Sequence, residues 1–228
     1  MPRDIASRDL KTLGIVLRRT NYGEADRILN LITPVGKISA IAKGVRRAKS
    51  KLAGGVEMFT LAEMNIHRGR SELGVVTSAR MVRYYSEILK DFGRMELMAL
   101  ILKKVSVAAE HTEGEEYFEM TRQCMEEIDN GMDLTVVESW FWLNLTRVAG
   151  EEMNLYRDAG GEKLVAGEAY EWSVRDGAFA KSSQGRYGTD EIKMLRLMSK
   201  MNLASIKRIK AEPGVMNKVY DIIRVWEN

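Results

Sequence analysis

The sequence predicts an α+β protein of two modules, an N-terminal five-stranded β-barrel of the OB type followed by a C-terminal helical bundle. Three observations lead to this fold class. Five short β-type runs fill residues 11–80, helical spacing replaces them from residue 81, and charge divides at the same place. Residues 1–80 hold 15 Lys/Arg against 7 Asp/Glu, whereas residues 81–228 hold 20 against 25. Such segregated charge indicates two modules with different partners.

The five predicted strands are short apolar runs separated by turn residues. Pro34, Val35 and Gly36 lie between two of these runs, which is typical of a hairpin. Five such strands in a small basic module favour an OB barrel, although periodicity alone leaves an SH3-like barrel open. The runs cover residues 11–20, 27–33, 37–45, 56–67 and 73–79.

Leu, Met, Ile and Ala recur at helical spacing from residue 82, and we expect helices in 82–91, 94–110 and 115–130. Thr135 and Glu138 have the spacing of a capping box, Thr189 could cap a later helix, and Pro213 suits a first helical position. Six glycines interrupt residues 158–188, where we expect a small inserted hairpin or a structured loop. The predicted domains are therefore 1–80, the barrel, and 81–228, the helical domain with its insert.

Composition excludes several classes of protein. A single cysteine, Cys124, rules out an intrachain disulfide and any zinc site that needs two or four cysteines. The longest apolar run, residues 98–102, is far too short to span a membrane, and no secretory signal is evident, so we expect a cytoplasmic protein. No nucleotide-binding glycine motif occurs, and neither His67 nor His111 lies in a catalytic motif. We expect no catalytic residue, metal or cofactor.

The basic loop, residues 43–51, is the strongest functional signal. It carries five cations in nine positions between two predicted strands, and this density favours an anionic polymer such as a nucleic acid. If the strand continues to residue 43, Lys37 and Lys43 lie on the same face of it, because side chains alternate with a period of two residues. Few aromatic residues accompany these cations, which favours contact with the phosphate backbone over base reading. The candidate DNA-binding residues are Arg18, Arg19, Arg27, Lys37, Lys43, Arg46, Arg47, Lys49, Lys51, Arg68 and Arg70.

Two runs of the sequence, 14–29 and 33–54, resemble the RecO family of bacterial DNA repair proteins. The resemblance is specific over residues 11–80 and weaker beyond. It implies an N-terminal OB fold, a helical C-terminal domain and no enzymatic turnover. It also implies binding of single- and double-stranded DNA, annealing of complementary strands, and assistance in loading RecA onto DNA coated by single-stranded-DNA-binding protein. The implied partners are RecR and the acidic C-terminal tail of that coating protein.

One feature departs from the family, and three other functions compete with the one it implies. Many members carry a cysteine zinc site in the helical domain, but this chain has no cysteine near 150–190, so we expect none here. The competing functions are an RNA-binding accessory protein on an OB scaffold, an adaptor that binds an acidic protein, and a metal-dependent nuclease using Glu24, Asp26 and Glu57.

Overall fold

The five N-terminal strands close into a barrel in the order β1-β2-β3-β5-β4. The computed structural model describes residues 9–69, 71–111, 115–210 and 212–227. All neighbouring strands are antiparallel except β3 and β5, which pair in parallel over two residues each. The predicted five-stranded, OB-like barrel is thus confirmed. Its strands are β1 (Asp9–Tyr22), β2 (Asp26–Thr33), β3 (Gly36–Ala42), β4 (Thr60–His67) and β5 (Gly74–Tyr84).

Alternating apolar residues of all five strands fill the barrel. Leu29, Leu31 and Met64 are at most 1% exposed. A β-bulge between Val16 and Arg18 shifts the register of β1 against β2. Beyond Ile15, β1 no longer pairs with β4 and continues beside β2 to the turn at residues 23–25, while β2 stays paired with β3 as far as Arg27. We call this part of the β1–β2 pair the β1–β2 ribbon.

Strand limits differ from those predicted at two places. β3 ends at Ala42, and the residues up to the short 3-10 helix Ala53–Val56 form turns. That helix packs tightly on β5, since a Cβ on Gly55 would lie 2.7 Å from Cβ of Ala79. Buried Val56 thereby joins the barrel core. β5 continues to Tyr84 because Arg83 and Tyr84 still pair with β4, where the sequence had favoured a helix.

Two helices belong to the same compact unit as the barrel, which ends at Asp129; the second unit begins at Asn130. They are α1 (Phe92–Ala108) and α2 (Glu115–Asp129), and 3-10 turns occur at Ser86–Lys90 and Ala109–His111. Arg83 of β5 contacts Glu126 at 2.9 Å and Asp129 at 3.6 Å. The predicted boundary at residue 80 therefore lies close to the change from strands to helices, while the compact unit extends 49 residues further.

The second unit combines helices with a small sheet. Its helices are α3 (Leu134–Val148), α4 (Thr189–Lys200), α5 (Leu203–Ile206) and α6 (Pro213–Glu227). The insert forms a three-stranded sheet, ordered β6-β8-β7, from β6 (Asn154–Asp158), β7 (Tyr170–Ser173) and β8 (Ala178–Lys181). The β7–β8 pair is the expected hairpin, and β6 was not predicted. Edge-to-face aromatic contacts pack the sheet, with ring centroids of Trp172 and Phe179 5.1 Å apart.

The predicted N-terminal caps of two helices in this unit, Thr135 and Thr189, are wrong. Asp133, rather than Thr135, caps α3, and its carboxylate accepts hydrogen bonds from the N–H groups of Thr135 and Val136. α4 starts at Thr189, so this residue is not its cap; its hydroxyl accepts a hydrogen bond from the Gly167 N–H instead. Among the described residues, no helix combines the length and apolar character needed to cross a bilayer.

Candidate nucleic-acid interface

The basic loop leaves β3 after Ala42 with its cations outward. Lys43, Arg46, Arg47, Lys49 and Lys51 are all exposed, whereas Val45 between them is 3% exposed and packs into the barrel core. Val45 therefore attaches the loop to the barrel, while the charged residues on either side of it remain in solvent. The five charges of the loop face solvent.

Hydrogen bonds fix the start of the basic loop to the β1–β2 turn. The Gly44 N–H donates to Oδ1 of Asp26 at 2.7 Å. The Arg46 N–H donates to the Ala25 carbonyl at 2.8 Å, and its guanidinium donates to the Gly23 carbonyl at 3.3 Å. We call residues 22–26 the hairpin tip. These three bonds hold the cations of the loop beside the hairpin tip.

Two further arginines lie on the inner face of the β1–β2 ribbon, where the apolar core ends. Arg19 pairs with buried Leu29, and Arg27 pairs with Asn21, so these side chains continue the face that fills the barrel. Glu57, just after the 3-10 helix, forms ion pairs with both Arg19 and Arg27; the second measures 2.9 Å. The ribbon therefore ends in a polar, cationic rim.

Positive charge is crowded at this rim. Burial, and then the charges of Arg19 and Arg46, hold the pKa of Arg27 below its usual value. Two guanidinium groups, those of Arg19 and Arg27, thus pair with the single carboxylate of Glu57, and the charge of Arg46 acts on Arg27. We call Arg19, Arg27, Arg46 and Glu57 the rim cluster. A phosphate group placed here would lower the mutual repulsion of the arginines.

The structure separates other predicted residues from the rim cluster. Lys37 lies at the opposite end of β3 from the loop, about 16 Å along the strand at about 3.3 Å per residue. Its ammonium donates to the Ser106 carbonyl at 2.7 Å and pairs with Glu110 at 3.3 Å. The expectation of one face shared by Lys37 and Lys43 is wrong, because β3 ends before Lys43.

Three candidates remain to be placed. Arg68 is exposed and lines, with Lys37, a cleft of about 590 Å³ beside the β4–β5 loop. Arg18 is exposed on the outer face of the ribbon, opposite Arg19. Arg70 lies outside the described residues. The structure therefore brings together Arg19, Arg27 and the start of the loop, and sets Lys37 and Arg68 apart from them.

Two of the three carboxylates proposed for a metal-dependent nuclease, those of Asp26 and Glu57, have other partners. Asp26 accepts the Gly44 N–H, and Glu57 pairs with two arginines. In the described ranges no group of three or more His, Cys, Asp or Glu residues is arranged to hold a metal ion. The role of Glu57 as counter-ion was missed because its partners are 38 and 30 residues away in the sequence.

The second unit contains a separate amphipathic cleft of about 390 Å³. Leu143, Met153 and Leu155 give it an apolar wall, while two cations, Arg147 and Lys200, outnumber the one carboxylate of its lining, Glu152. The exposed ring of Tyr156 borders it, with the Arg196 guanidinium 4.9 Å and the Lys200 ammonium 5.1 Å from the ring centroid. A cleft of this kind suits an anionic ligand that also carries apolar groups.

Comparison with known proteins shows which family the sequence of this chain is similar to. Residues 8–85 match the family described as recombination protein O, N terminal. A protein of Dehalococcoides mccartyi strain 195, named DNA repair protein RecO, is 27% identical over 225 residues, covering 95% of this chain and 88% of its own. A Bacillus cereus AH187 protein of the same name is 28% identical over 227 residues, covering 92% and 90%. In Anaeromyxobacter sp. strain K, another is 31% identical over 144 residues, covering 62% and 57%. Residues 8–85 of this chain thus match the N-terminal part of the RecO family, and most of its length is similar to proteins named DNA repair protein RecO.

Proposed function

We propose that this chain is a recombination mediator in DNA repair that binds DNA without catalytic turnover. It binds single- and double-stranded DNA in the cytoplasm, on the nucleoid. It anneals complementary strands and assists RecA loading on DNA coated by single-stranded-DNA-binding protein. The observation that carries the DNA-binding part is the exposed basic loop docked beside the rim cluster on an OB-like barrel. Similarity to proteins named DNA repair protein RecO supports the remaining parts.

Annealing follows from charge. Two single strands repel each other because each carries one negative charge per phosphate. The cations of the basic loop and the rim cluster neutralise one backbone, and the complementary strand then approaches with less repulsion. Few aromatic side chains accompany these cations, so backbone contacts supply most of the affinity and sequence has little influence.

The partners follow from the second unit and from the family. The acidic C-terminal tail of single-stranded-DNA-binding protein suits the amphipathic cleft, where Arg147 and Lys200 face its carboxylates and Leu143 faces its apolar residues. Holding the tail brings the barrel to DNA that is already coated. RecR is the second proposed partner, on the grounds of the resemblance to the RecO family.

A salt-titrated binding assay on single-stranded DNA tests the proposal. Each neutralised phosphate contributes about −0.7 to the slope of log affinity against log salt, so five loop cations predict a slope near −3.5. The variant Arg47→Glu/Lys49→Glu/Lys51→Glu leaves the Arg46 and Gly44 bonds intact and should reduce the slope to about −1.4. It should also abolish annealing of uncoated oligonucleotides, with an unchanged thermal midpoint because these side chains are exposed.

The matched control reverses three exposed cations of the second unit, Arg175, Lys193 and Lys210, and should keep the slope of the unmodified protein. Annealing that survives reversal of the loop would refute this binding site. A matched RNA competitor that displaces the DNA at equal or lower concentration would favour the RNA-binding alternative. Binding of an acidic protein with no DNA shift at low salt would favour the adaptor.

A further inference from the structure

We infer that Tyr22 is a stacking platform for an unpaired base, which makes this DNA site selective for single strands over duplex. The inference rests on the proposed function and names the form of DNA that its site prefers. Four aromatic residues lie on the barrel or just after its last strand, namely Tyr22, Phe59, Tyr84 and Tyr85. Phe59 is 8% and Tyr85 1% exposed, so neither can meet a base, whereas Tyr22 is 56% and Tyr84 42% exposed.

Register places Tyr22 on the same face as the start of the basic loop. Tyr22 is the last residue of β1 and pairs directly with Asp26, the first residue of β2. Directly paired residues share a face, with Cβ atoms about 4.5–5.5 Å apart. The Asp26 carboxylate on that face holds the Gly44 N–H at 2.7 Å. The tyrosine ring and the first cations of the loop are therefore fixed to the same few residues.

The rest of that face is polar and accessible. Arg18, Thr20 and Tyr22 alternate along the outer face of β1, and all three are exposed. Among the described residues, Arg18 has no carboxylate within ion-pairing distance, unlike Arg19 on the inner face. A strand whose base lies on Tyr22 can thus set its phosphates against Arg18 on one side and against Lys43 and Arg46 on the other.

Stacking on Tyr22 distinguishes the two forms of DNA. In a duplex both faces of each base are already stacked, so the ring could engage only after unstacking at a cost of a few kcal/mol. Phosphates, in contrast, are present in both forms and meet the same cations. Annealing therefore removes the Tyr22 contact while leaving the charge contacts, and the annealed product is bound less tightly than the single strands from which it forms.

The test compares Tyr22→Ala, Tyr22→Phe and the unmodified protein on a single-stranded oligonucleotide and a duplex hairpin, both containing 2-aminopurine. Tyr22→Ala should weaken single-strand binding about five- to 160-fold, which is the loss that corresponds to one base stacked on an aromatic side chain. It should leave duplex affinity and the salt slope unchanged and abolish quenching of 2-aminopurine fluorescence in the single strand. Tyr22→Phe keeps a ring and should behave as the unmodified protein.

Tyr84→Ala is the matched control, because Tyr84 is the other exposed tyrosine of the barrel and lies at the end of β5. It should change neither affinity. An equal loss on both DNA forms in Tyr22→Ala, or no loss at all, would overturn the inference while the proposed function stands. An unmodified protein that binds neither form at about 50 mM salt would overturn the proposed function as well.

Discussion

Glu57→Gln should change fold stability and DNA affinity in opposite directions. Glu57 is the carboxylate of the rim cluster, paired with Arg19 and Arg27. Its side chain is 39% exposed, so each pair contributes only the fraction of a kcal/mol typical of solvent-exposed ion pairs, and losing both costs about 1 kcal/mol. In a chain of this size that lowers the thermal midpoint by about 2–4 °C.

DNA affinity should rise in the same variant. Glutamine removes a negative charge that repels phosphates. The repulsion from a phosphate about 7 Å away in water is about 0.6 kcal/mol, so its loss should raise the affinity about threefold. Two freed arginines can each add about 0.7 to the magnitude of the salt slope, which should steepen by up to about 1.4. Calorimetry and a salt-titrated anisotropy assay on the same preparation measure both effects.

Glu63→Gln is the control, because Glu63 also pairs with an arginine of the barrel, Arg80, at 2.7 Å, but lies on β4 away from the rim cluster. It adds the same net charge and should leave the slope unchanged. A Glu57→Gln protein that binds DNA more weakly, or a Glu63→Gln protein that gains as much, would refute the idea that the rim cluster receives phosphate.

Three further predictions concern the folded chain. Burial acts to raise the pKa of Glu191, but hydrogen bonds from Gly188 and Lys218 outweigh it and hold that pKa below its usual value. The unfolded chain therefore binds the proton more readily than the folded one. The resulting contribution of Glu191 to stability is present above about pH 4.3 and is lost as the pH falls below the folded pKa. Urea unfolding should show a smaller loss of stability between pH 6 and pH 3 in Glu191→Gln than in the unmodified protein, and an equal loss would contradict the assignment. Burial raises the pKa of the Cys124 thiol, so an aromatic disulfide reagent should react with it only after unfolding, and rapid labelling of the native protein would show that α2 opens. Gly185→Ala would place a Cβ 2.3 Å from a carbonyl oxygen of β7 and should cost several kcal/mol, whereas Gly214→Ala, which meets open space, should be neutral by thermal melting.

Local patterns predicted the barrel strands and the basic loop, because alternating apolar residues and a run of cations can both be recognised within a short stretch of sequence. Long-range partners were not predictable in this way. The Lys37 ammonium bonds to Ser106, 69 residues later, and its charge alone gave no sign of that contact. Trp140, Phe141 and Trp142 follow one another on α3, and all three are at most 7% exposed. α3 is buried on nearly all sides, as helices that are apolar around their whole circumference usually are.

The ties between the barrel and its first two helices bear on how the protein can be divided for experiment. A fragment ending at residue 80 would leave the Lys37 ammonium without the Ser106 carbonyl and would remove Tyr85, whose N–H donates to the Phe59 carbonyl at 3.0 Å. It would also truncate β5 while Thr60 and Leu61 of β4 still require partners. A fragment ending at Asp129 keeps all of these bonds. Gene truncations and two-hybrid baits designed at the later position should yield folded material, and those designed at the earlier one should precipitate.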